Sequence, residues 1–169
     1  MNINLLEPAT FLFEDDGSTP NNPKLPLLFY SGVFDNVTPE LIEETFHANQ
    51  WGNNWRASVF PFPHYHAEAH EALGCFCGTA TIRLGGANGI EQTVQPGDAV
   101  VIPAGVGHEN LGSSSDFTMV GTYPPGQSPD LQRGEPSERE WVIESIAKVP
   151  LPVADPVFGA DGPLMKAWS

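Results

Sequence analysis

His64 and His66 stand one residue apart, Glu71 follows five residues later, and His108 comes after an apolar run that stops at Pro103. These side chains can share one metal ion. Successive strand side chains alternate between faces, so His64 and His66 project to the same side. A four-residue loop over 67–70 would form a hairpin with His66 directly opposite Glu71, their Cβ atoms roughly 4.5 to 5.5 Å apart. His108, opening a strand after the glycine-rich turn that follows Pro103, would complete the set from a second hairpin. Three neutral imidazoles and one carboxylate leave a divalent ion with a net charge near plus one, and about two open positions if six ligands surround it. Substrate, water or dioxygen would occupy those positions. The donors contain no thiolate and fit one divalent transition metal ion, iron(II), manganese, nickel or zinc, with Glu71 as ligand and candidate catalytic proton acceptor.

Further candidates surround this set. Arg56, Ser58, Phe60 and Phe62 share the parity of His64, so a regular strand over 55–62 turns them inward. Arg56 would then hold an anionic small-molecule substrate, with Phe62 on the wall and Tyr123 reaching the mouth from the end of the last strand. The opposing reading pairs Arg56 with a surface acid. His70 competes with Glu71 by spacing, although alternation turns it to the other face. Cys75 and Cys77 share the parity of Glu71, and are either deeper cavity thiols or small buried apolar residues.

Positioning such a set requires a closed β framework, and the chain has the means. Its 169 residues suit one domain with a single core. Glycine and proline number 17 each, which fits many short strands joined by tight turns. Strands are expected over 9–13, 27–30, 55–62, 73–84 as one or two strands, 90–94, 99–102, 108–111 and 117–123. Thr38 caps a helix over 41–50 with Pro39 in its first turn, and Leu41, Ile42, Thr45 and Phe46 face the core. The capping-box spacing of Ser137 and Glu140 opens a second helix through about 147. Residues 155–164 lack periodicity and read as a wrapping loop. Seven Lys and Arg against 21 Asp and Glu give a net charge of -14, which repels nucleic acid and anionic lipid. The first residues have neither the basic start nor the apolar stretch of a signal peptide, and a cytoplasmic location is expected.

At these residues the chain resembles the cupin superfamily. The family's first motif appears as His64-Tyr65-His66, four residues, Glu71, six residues and Gly78; its second as Gly97, five residues, Pro103, Gly105 and His108. Ser58 replaces the glycine that opens the first motif. Gly112 replaces the asparagine that closes the second, with Asn110 nearby as a substitute. The resemblance implies an all-β double-stranded β-helix, the RmlC-like jelly-roll barrel, with one or two short flanking helices. The barrel core would cover about 55–123, with strands and a helix over 1–54 before it and a helix and tail over 124–169 after it. The 149–159 segment is similar to small bacterial single-domain cupins. The resemblance also implies a homodimer and metal-dependent dioxygenase, decarboxylase, isomerase or lyase chemistry on a small oxygen-bearing molecule. The alternative is a non-catalytic metal-containing binding or sensing module.

Overall fold

The computed structural model describes residues 2–169. Its strands run β1 (Ala9–Phe11), β2 (Leu27–Tyr30), β3 (Gly52–Ala57), β4 (Glu71–Cys77), β5 (Ala80–Leu84), β6 (Ile90–Val94), β7 (Ala99–Ile102), β8 (His108–Ser113) and β9 (Thr118–Tyr123). The helices are α1 (Pro39–Ala48), α2 (Arg139–Lys148) and α3 (Pro163–Ala167). Six strands form one antiparallel sheet in the order β1-β2-β7-β4-β9-β3, and β6-β5-β8 form the other. This is the all-β jelly roll that the two motifs imply.

The sheets differ in how they bury their faces. In the large sheet alternation sends Leu27, Phe29, Leu73, Cys75, Val100 and Ile102 into the space between the sheets. Their neighbours Leu28, Tyr30, Ala72, Ala99 and Val101 pack outward under α1 and the C-terminal tail. The central strands are therefore apolar on both faces. The small sheet buries Ala80, Ile82, Leu84, Val94, His108 and Asn110, while Glu91 and Thr93 face solvent.

Thr38 accepts a hydrogen bond from the Leu41 amide at 3.0 Å and Pro39 occupies the first turn, so α1 starts where its cap requires. Its buried face, Ile42, Thr45 and Phe46, lies on the sheet, where burial of Ile42 and Phe46 contributes about 1.5–3 kcal/mol each. The second helix departs from expectation at its start. A 3-10 turn over Pro136–Glu138 precedes α2, and Glu138 is the cap residue without a side-chain bond, so the Ser137 box does not form. The tail also forms the short α3, which periodicity could not reveal at five residues. Leu164 and Trp168 anchor it in the outer core.

Candidate metal centre

The two histidine motifs meet through the main chain. His64 and His108 exchange backbone hydrogen bonds of 3.2 and 2.9 Å as an isolated bridge, setting their imidazole centroids 4.1 Å apart. The His66 ring lies 5.3 Å from that of His108 and 5.9 Å from that of His64. One nitrogen from each of the three lies within 4.8 Å of the other two. Glu71 opens β4, and its Oε1 stands 3.5 Å from His66 Nε2 and 3.4 Å from His108 Nε2.

His66 and Glu71 do not oppose one another in a hairpin as expected. The His66 carbonyl instead accepts from the Gly105 amide at 2.8 Å, and Glu71 pairs with Ile102 in the β4–β7 ladder. Both bonds tie the first motif to the turn after β7. Gly105 has φ +91, and a Cβ there would lie 2.5 Å from the Asn21 carbonyl oxygen, so glycine is required at this crossing.

Every imidazole is aimed by the same device. The Nδ1 atoms of His64 and His108 contact the carbonyl oxygens of Phe62 and Val106 at 2.9 and 3.2 Å, and His66 Nδ1 contacts that of Asp130. A carbonyl only accepts, so each Nδ1 carries a hydrogen and each Nε2 is the ligating atom. Tyr123 donates its hydroxyl to Glu71 Oε2 at 2.9 Å and receives the Trp55 indole N–H at 2.6 Å. That bond occupies one carboxylate oxygen and leaves Oε1 for an ion. The register explains the contact: Ala72 opposes Thr122, which brings the preceding Glu71 against the following Tyr123.

Burial, then the neighbouring His108, pulls His64 down to about 3, so this imidazole is neutral and ready to ligate. Burial lowers His66 too, but Glu71 outweighs it and the net shift is upward. Burial likewise raises Glu71, and His66 with His108 reverse the sign, holding the carboxyl well below the carboxylate range. Glu71 thus favours a proton on His66, which a bound metal would displace. The four residues fit a divalent ion by donor type, convergence and orientation.

Above the cluster opens a cavity of about 380 Å³, lined mainly by apolar atoms, with Trp55, Val59, Leu73 and Leu131 on its walls. Of the three expected substrate contacts only Tyr123 lies on it. Arg56 faces outward beside α1, bonded to Glu43 at 2.9 and 2.7 Å and near Glu40 at 3.6 Å. Parity counted back from His64 fails because β3 ends at Ala57 and the segment with Pro61 and Pro63 is not a strand. The inward residue is Trp55, opposite Gly121, where a Cβ would strike the indole. Phe62 is off the lining. It stacks on Phe60 at 4.9 Å, meets His64 edge-on, and carries the Arg133 guanidinium 3.8 Å over its ring.

His70 is fully buried and does not join the cluster, turned away from Glu71 as alternation requires. Its Nδ1 accepts from the Ala104 amide at 2.9 Å, its ring packs 4.8 Å from Trp168, and burial draws it down to about 4. Cys75 lies in the inter-sheet core, its thiol pushed by burial up to about 12, and Cys77 sits beside Asp116 at the sheet's end; neither lines the cavity. Sequence reading missed Asp130. Its carboxylate accepts from the amides of Ala67 and Glu68 at 2.9 Å while its carbonyl orients His66. In an acidic stretch no local signal separates it from its neighbours.

The family model for cupins matches residues 56–137. The chain is 43% identical over 162 residues to the uncharacterised protein YjlB of Bacillus subtilis (strain 168), covering 96% of this chain and 97% of that one. It therefore belongs to the cupin family. Among solved structures, a cupin 2 domain-containing protein from Halorhodospira halophila is 11% identical with a TM-score of 0.37, covering 86% of this chain and 83% of that one. A predicted oxalate decarboxylase from Thermotoga maritima is 14% identical with a TM-score of 0.35, covering 73% of this chain and 98% of that one.

Proposed function

We propose that this chain is a metal-dependent cupin acting on a small oxygen-bearing organic molecule, in a reaction of the dioxygenase, decarboxylase, isomerase or lyase type. One observation carries the reading: three converging imidazoles, two buried and His66 partly exposed, have their Nδ1 atoms spent on backbone carbonyls, and the Nε2 atoms of His66 and His108 face one oxygen of Glu71 at a cavity. His64, His66, Glu71 and His108 would hold the ion, which is iron, manganese, nickel or zinc by donor type. Such an ion polarises a bound oxygen as a Lewis acid or, if redox-active, activates dioxygen. Glu71 is the candidate catalytic group, since its carboxylate lines the cavity and its Oε2 accepts the Tyr123 hydroxyl proton in a hydrogen bond. Tyr123 holds that carboxylate in one orientation, and the apolar walls exclude water from the reacting end.

A homodimer would pair through β1, an edge strand with β2 as its one partner. No helix of the described residues is long and apolar enough to cross a membrane. The cytoplasmic reading is supported by Cys75 and Cys77, both free thiols. Elemental analysis of purified protein tests the metal reading: about one transition ion per chain is expected in the wild type and little in His66→Ala. Full occupancy in that variant would remove the proposal.

A further inference from the structure

We propose that the cavity selects an uncharged, largely apolar molecule presenting two oxygens at one end, such as a hydroxy-ketone, β-dicarbonyl or catechol, and discriminates against compact dianions. This rests on the metal reading and narrows it to a substrate class. The evidence is the charge of the wall. Among the described residues the lining contains no lysine or arginine, and its acidic residues are Glu71 and Asp130.

The chain's cations are spent or distant. Arg56 is held by Glu43, Arg83 by Glu91, Arg139 by Asp15 and Lys148 by Glu144. Arg133 holds its guanidinium 3.8 Å over the Phe62 ring, which stacks on Phe60, and is off the lining. The polar reader left on the wall is neutral, the Ser58 hydroxyl, which the Asn110 amide contacts at 3.4 Å.

Charge counting gives the sign. An ion of charge two bound by one carboxylate leaves one positive charge for the ligand to cancel. A chelator that loses one proton on binding cancels it, and its body meets Trp55, Val59, Leu73 and Leu131. A dianion leaves an uncompensated negative charge buried beside Asp130 with nothing to pair it, a costly arrangement in an apolar site. The dianion also leaves most of the apolar cavity unfilled.

The test uses cobalt(II)-loaded full-length protein and two probes, maltol and oxalate, with binding followed by the cobalt absorption bands and by calorimetry. Each affinity is divided by that of the same probe for free cobalt(II) in the same buffer. Maltol is expected to be favoured at least about tenfold by this ratio. Leu131→Arg, at a half-exposed wall position, should shift the ratio toward oxalate by about tenfold, and Leu131→Glu should shift it the other way, with cobalt content unchanged in both. Arg133→Ala should leave the ratio unaltered. Oxalate preferred by the wild type, opposite charges at 131 shifting the ratio alike, or a change of the ratio on loss of Arg133 overturns the inference while the metal reading stands. Failure of the wild type to take up cobalt overturns both.

Discussion

Two buried carboxylates lie on opposite sides of the large sheet, and they are satisfied in opposite ways. Asp155, fully buried in the tail, accepts from the Tyr30 hydroxyl and from the amides of Val157, Phe158 and Leu164. Four donors meet roughly four lone-pair directions, so nothing remains for a ligand. Glu71 has one oxygen bound by Tyr123 and the other facing two imidazole nitrogens at 3.4 and 3.5 Å. Its remaining capacity points at a cluster of further donors aimed the same way. A saturated carboxylate holds a fold together; one left with converging neighbours offers a site.

The largest effects should separate the two regions. Glu71→Ala is expected to lose stoichiometric metal and to shift the unfolding of the metal-free chain by less than the loss of Asp155 does, since one neutral donor, the Tyr123 hydroxyl, is left without its acceptor. Asp155→Ala should do the reverse, retaining metal but losing about 3 kcal/mol, because four donors lose their acceptor. For a chain of this size that lowers Tm by roughly 10 °C. Elemental analysis and thermal melting on both variants settle the contrast, and matching behaviour would erase it. A metal-poor Asp155→Ala would also count against it.

Smaller effects sharpen the comparison. Asp130→Ala unties the 67–68 amides beside His66 and should weaken metal binding about 10- to 100-fold in competition with a chelator, with little change in the unfolding of the metal-free chain. A pH series on metal affinity has a defined sign. Glu71 raises His66, so a proton competes with the metal below that pKa, and affinity should rise with pH through that range, levelling above it. Calorimetry in two buffers of different ionisation heat should show about one proton released per ion bound on the acidic side. Affinity that falls as pH rises would contradict that competition. Last, Arg56→Ala should change neither metal content nor ligand affinity and leave the unfolding temperature nearly unaltered, because its pairs with Glu43 and Glu40 are solvent-screened.

Much was legible along the chain. His64, His66, Glu71 and His108 are recognisable because each is a ligand type at motif spacing, and β2 and β5 to β7 follow from short apolar runs between turn residues. The α1 cap was readable because Thr38 and Pro39 act locally. Legibility failed where contact crosses long separations or alternation is broken. For Arg56 the surface-acid reading holds and the inward one fails, because parity cannot be carried through Pro61 and Pro63, and the burial of His70 was not readable because Trp168, which covers it, lies 98 positions away.

Residue type and local spacing, then, determined the donors and the kind of framework, since both depend on interactions within a few residues. Tertiary structure alone decided that Asp130 aims His66, that Tyr123 occupies one oxygen of Glu71, and that the cavity wall carries no cation. Those outcomes depend on which distant segments share a space, and pairing across the sheets, rather than local preference, brings them together.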